Sequence, residues 1–195
     1  ADSSSARILM ELDQLYKRMN RPHSVRLSFL ESHMYLVNQR DDLYLELCTL
    51  LNQTARYEKA LDMIEARKFH PWEGGEGKVP AQYQLARTEL ARIALEEHRY
   101  DDAITLLNEC LEYPDNLGEG KLAGARENDF NYLMGCAWHS KGEEAMARTF
   151  FEKAITGSSD PTDAIYYNDQ KPDKIYYQGL AMKELGMEDE AEQIF

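Results

Sequence analysis

The chain has 195 residues, 43% hydrophobic and 29% charged, the proportions of a folded chain with a continuous core. Its formal net charge of −13, from 22 basic and 35 acidic residues, leaves no basic face for nucleic acid or for an anionic membrane surface. No apolar run reaches the ~20 residues that cross a bilayer, so membrane partners are not expected either.

Taken from the start, residues 1–5 are polar rather than a secretory leader. Two helices are predicted at about 6–37, with Pro22 opening the second, where its missing N–H costs nothing. Helical hairpins then follow at about 43–69, 81–112, 127–156 and 173–195. These four keep step. A small residue in each second helix (Ala60, Ala103, Ala147, Ala191) recurs at spacings of 43, 44 and 44. Another precedes each by twelve positions (Cys48, Ala91, Gly135, Gly179), and an apolar branch or ring follows by four (Ile64, Leu107, Phe151, Phe195). In the first pair Val25 takes the marker place, 35 residues before Ala60. Gly135 is expected to let its helix approach the one carrying Ala147 more closely than the usual 8–10 Å. Period-2 alternation is nowhere sustained, and no proline falls in a predicted helix interior.

These columns resemble the tetratricopeptide repeat (TPR), most closely at residues 131–159 and 175–195. The resemblance implies an all-α, right-handed TPR-like solenoid of about five antiparallel helix pairs, forming a single repeat domain. Three intervals exceed the usual unit of about 34 residues by roughly ten. The surplus is assigned to loops at 70–80, 113–127 and 156–173, along one edge. The chain opens without Met and stops at Phe195 inside a helical pattern, so it reads as a piece of a longer protein whose cut end is prone to self-association. Cys48, Cys110 and Cys136 are an odd set without a C-x-x-C pair, which points to buried thiols in a reducing, cytoplasmic compartment.

Two surfaces are candidates for binding. On the loop edge, HPWEGGEGKV and NLGEGKL share Gly-Glu-Gly-Lys, with Glu76 and Glu119 one repeat apart, so equivalent places on adjacent units are expected. Trp72, Glu76, Lys78, Glu119, Lys121, Tyr167, Asn168 and Asp169 would form a polar and aromatic strip there, for a partner or a sugar. The competing reading is that GEGK makes the turn, its Lys capping a helix end or pairing with Glu. A phosphate loop is excluded, because Val79 and Leu122 stand where Ser or Thr is needed. On the inner face, Asn52, Arg92, Tyr132, His139 and Tyr176 would line an aromatic groove. Peptide-clamping relatives place Lys and Asn in a column that here reads Leu45, Thr88, Tyr132 and Tyr176, so a carboxylate clamp is not expected.

The five histidines lack metal-ligand spacing, and no Ser-His-Asp or Cys-His arrangement stands out. No catalytic residue, metal or cofactor is expected. The phrases ARKFHPWEGGEGKV, YPDNLGEGKLAGARENDFNY and YYNDQKPDKIYYQGLA are similar to the C-terminal helical part of large bacterial proteins whose N-terminal β-rich domain has no known function. That resemblance implies a bacterial, intracellular protein. Its helical part would act as a non-catalytic scaffold for another protein or domain, or as an auxiliary module completing a carbohydrate site.

Overall fold

The computed structural model describes residues 5–160 and 169–195, and every regular element among them is helical. The described residues form two compact units.

The first unit runs to Ala86 and takes in Pro114–Glu119. It holds α1 (Ala6–Arg18), α2 (His23–Glu31), α3 (Met34–Val37), α4 (Asp41–Gln53), α5 (Tyr57–Ala66) and the opening turns of α6 (Lys78–Glu96). A single 3-10 turn, Asp115–Leu117, returns from later in the chain to complete it. The predicted second helix is broken into α2 and α3. Ser32 Oγ donates to the Phe29 carbonyl at 2.8 Å, and His33 Nδ1 lies 2.8 Å from the same oxygen. These side chains compete with the helical ladder and end it at Glu31.

The second unit holds the rest of α6, α7 (Tyr100–Cys110), α8 (Asn128–Ser140), α9 (Glu144–Ala154), α10 (Pro172–Glu184) and α11 (Glu188–Glu192). Ala91, Ala103, Leu107, Leu133 and Phe150 share one core cluster, and Ala147, Phe151, Ala154 and Ala181 another.

The repeat columns have a physical basis. Ala60, Ala103, Ala147 and Ala191 are all buried, as are Cys48, Ala91, Gly135 and Gly179. Gly135 faces a ring rather than a bare backbone: a Cβ there would lie 2.4 Å from the Phe151 ring, and one at Gly179 2.7 Å from Phe195. Where the twelve-before position keeps a side chain, as at Cys48 and Ala91, the four-after position is the smaller Ile64 or Leu107. The two columns trade volume within a close-packed seat.

The first pair departs from this scheme. Val25 is exposed, and the next residue, Arg26, is buried instead. Asp13 fills the twelve-before place and is fully buried. Arg26 Nε donates to Asp13 Oδ1 at 3.0 Å and Nη2 to Oδ2 at 2.6 Å. Its Nη2 also reaches Glu46 Oε1 at 2.5 Å, and Lys17 Nζ completes the group at 3.1 Å. An ion network occupies the seat that a ring fills elsewhere.

A further column escapes sequence inspection. Asn20, Ala55, His98, Gly142 and Gly186 all have positive φ, between 53° and 80°, and their spacings are 35, 43, 44 and 44. After each, a backbone N–H turns back to a carbonyl five residues earlier, as from Arg56 to Leu51 and from Glu143 to Trp138. Left-handed backbone costs an L-residue about 1–2 kcal/mol, against a glycine entropy cost of about 0.5–1. Ala55→Gly is therefore expected to stabilise the first unit by about 0.5–1 kcal/mol. Urea unfolding checks it, and a lowered midpoint would show that the turn is not strained.

Candidate functional site

The first loop is held from below. Asp41 accepts from Arg67 Nε at 2.6 Å and from the His70 backbone N–H at 2.9 Å. Burial works to raise the Asp41 pKa, but these hydrogen bonds outweigh it and leave the carboxyl below its ordinary value. Arg67 lies over the Tyr44 ring at 4.3 Å, and Tyr44 meets the buried Phe69 edge-on.

The second loop then staples the first. Asn116 Nδ2 donates to the carbonyls of Ile64 at 3.0 Å and Arg67 at 3.1 Å, capping α5, while its own carbonyl receives the Phe69 N–H at 2.8 Å. Leu117 is buried beneath. Gly118 has φ +76°, and a Cβ there would sit 2.6 Å from the Phe69 carbonyl oxygen, so only glycine fits. Glu119 Oε2 accepts the Gly77 N–H at 2.7 Å.

The outcome is a depression of ≈ 270 Å³ lined by Pro71, Trp72, Glu73, Gly75, Glu76 and Glu119. Glu76 and Glu119 thus line one hollow rather than equivalent places on adjacent units. The two lysines of the shared motif do different work. Lys121 Nζ donates to the Leu111 carbonyl at 2.9 Å, at the end of α7, and pairs with Glu127. Lys78 is exposed and begins α6. Turn-making therefore accounts for most of NLGEGK. Asp169 is half-buried; Tyr167 and Asn168 lie outside the described residues.

Among the inner-face candidates, Arg92, Tyr132 and Tyr176 converge on a residue that sequence reasoning missed, Tyr177. Arg92 Nη2 donates to the Tyr177 hydroxyl, and Arg92 Nε lies 3.3 Å from Glu89. The Tyr177 ring is 5.7 Å from Tyr132 and 5.8 Å from Tyr176, and Tyr132 in turn meets Phe151 at 5.9 Å. Tyr176 is half exposed. Burial pushes the Tyr132 phenol up, so it stays protonated and neutral. The signal for Tyr177 was its place beside Tyr176 at the start of α10, next to the buried Gln178 and Gly179. His139 engages Glu144 at 3.1 Å instead. Asn52 is buried and donates to Gln82 in the first unit, so it serves packing.

Burial raises Cys48 and Cys110 to about 12 and Cys136 to about 11, which keeps all three thiols protonated and poorly nucleophilic at neutral pH. Among the described residues no helix is long and apolar enough to cross a membrane.

No family model matches the chain. In fold it is similar to a solved structure described as "MamA RS-1 ArsTM double mutant", with a TM-score of 0.50 and 14% identity over 100% of this chain and 93% of that one. The fold is TPR-like. A structure of nearly identical TPR-like repeats from Podosopora anserina aligns with a TM-score of 0.49 and 14% identity, over 96% of this chain and 90% of that one. Among the described residues the second long loop staples the first, through Asn116 and Glu119.

Proposed function

We propose that the chain is a non-catalytic interaction scaffold that binds a polypeptide segment, belonging to a separate protein or to another domain of its own polypeptide. The observation that supports this reading is the tyrosine surface of the second unit. Tyr176 stands half exposed beside Tyr177, with Tyr132 packed behind and Arg92 at the hydroxyl. Tyrosine offers apolar area with a hydrogen-bonding tip and few rotamers to freeze, and tyrosine and arginine are enriched among the residues that dominate binding energy. A TPR-like fold presents such residues on rigid helices rather than on loops. The three thiols, held protonated by burial, are not set up for nucleophilic chemistry.

A photo-cross-linking phenylalanine analogue at Tyr176 should capture a polypeptide that, once purified, binds the chain. Tyr176→Ser should then weaken that binding by about tenfold or more, the size of a central interface residue. Unchanged affinity would remove the tyrosine surface from consideration.

A further inference from the structure

We infer that the depression beside Trp72 is a receptor for one cationic side chain, the guanidinium or ammonium of an arginine or lysine in a partner polypeptide. Four observations carry this, all from the first unit. The hollow has an aromatic wall that is fixed: a Cβ at Gly75 would lie 2.2 Å from the indole, so the ring rests on that backbone. Glu73, Glu76 and Glu119 line the same hollow. Among the described residues, the hydrogen bonds of Glu76 and Glu119 come from backbone N–H groups, Gly74 to Glu76 at 3.3 Å and Gly77 to Glu119 at 2.7 Å. Among the described residues no lysine, arginine or histidine pairs with any of the three.

Size and spacing narrow the occupant. No group of three or more acidic, His or Cys side chains among the described residues is placed to hold a metal ion. Carboxylates spread around an aromatic wall suit a broad cation with several donors, which an indole also attracts. A hollow of ≈ 270 Å³ lies at the small end of the range of about 300–1,000 Å³ typical of ligand pockets, and a single side chain fits within it.

The test uses N-acetyl-argininamide and N-acetyl-lysinamide as probes, with N-acetylcitrullinamide as the uncharged isostere of the first. Binding is read at the indole N–H resonance of Trp72, assigned by its loss in Trp72→Phe. Both cations should shift it saturably, and the citrulline probe should bind about tenfold more weakly or worse. Glu76→Gln/Glu119→Gln keeps each acceptor oxygen and should abolish the shift while the Trp138 resonance stays in place. Glu73→Gln, which breaks no hydrogen bond among the described residues, should weaken it. The proposal is overturned if citrulline binds as well as arginine, if neither cation shifts the resonance, if the glutamine variants bind normally, or if only an uncharged oligosaccharide produces the shift.

Discussion

Arg26→Met is expected to destabilise the first unit by about 3–5 kcal/mol, far more than the loss of an exposed arginine. Asp13 is fully buried, and Arg26 supplies its bidentate partner. Removing the guanidinium strands a carboxylate in a place water does not reach, and that desolvation dominates the cost. The charge pair itself adds little net stability, so Arg26→Met combined with Asp13→Leu should recover most of the loss. Urea unfolding, with hydrogen exchange at the amides of α1 and α2, measures both. Equal destabilisation in the single and double variants would refute the stranded charge as the cause.

The same network sets a pH dependence. Burial works to raise the Glu46 pKa, yet hydrogen bonds and charge from Arg26 and Lys17 outweigh it and hold the carboxyl below its ordinary value. A carboxyl lowered in the folded state contributes stability above its unfolded pKa and loses it as pH falls through the folded one. Wild-type stability should therefore fall through the acid range more steeply than that of Glu46→Gln.

Gly135→Ala is expected to cost up to about 2 kcal/mol net, although alanine is the better helix former by about 1 kcal/mol. The added methyl would stand 2.4 Å from the Phe151 ring, which is buried in a cluster with Ala147, Ala154 and Ala181. Overpacking of that degree costs about 1–3 kcal/mol and outweighs the helical gain in most of that range. The Ala91 and Leu107 pair shows how the chain solves the same problem with a methyl present. Gly135→Ala with Phe151→Leu should accordingly cost less than the sum of the two single changes. Thermal unfolding of the four proteins in a double-mutant cycle gives the coupling, and strict additivity would contradict the seat.

The hairpins were legible because small residues recur where helices touch, and burial at Ala60, Ala103, Ala147 and Ala191 follows directly. The turn column was not, because Ala55 and His98 hide a left-handed backbone that only Gly142 and Gly186 advertise. Val25 misled for a related reason: the first pair keeps the turn at Asn20 but buries Arg26, and residue type alone does not show which neighbour faces inward. At the loops the sequence displayed the right residues and the wrong geometry. Glu76 and Glu119 share a period, but Asn116 and Gly118 fold the second loop onto the first through contacts some fifty residues apart in the chain, which no local pattern encodes. Tyr177 was overlooked beside Tyr176 because α10 presents both tyrosines to one cluster, where a strict reading of register admits one.

The staple at Asn116 also bears on how the protein is made. Pro114–Glu119 belongs to the first unit but is encoded after α7, so the side-chain cap of α5 from Asn116 arrives only when that turn has been synthesised. At about 5–20 residues per second, the interval between Ala86 and Glu119 lasts a few seconds on the ribosome. During that interval the nascent first unit lacks the Asn116 bonds to the Ile64 and Arg67 carbonyls and to the Phe69 N–H. Its maturation waits on the far side of α7, and vectorial synthesis does not complete this protein strictly from its N-terminus onward.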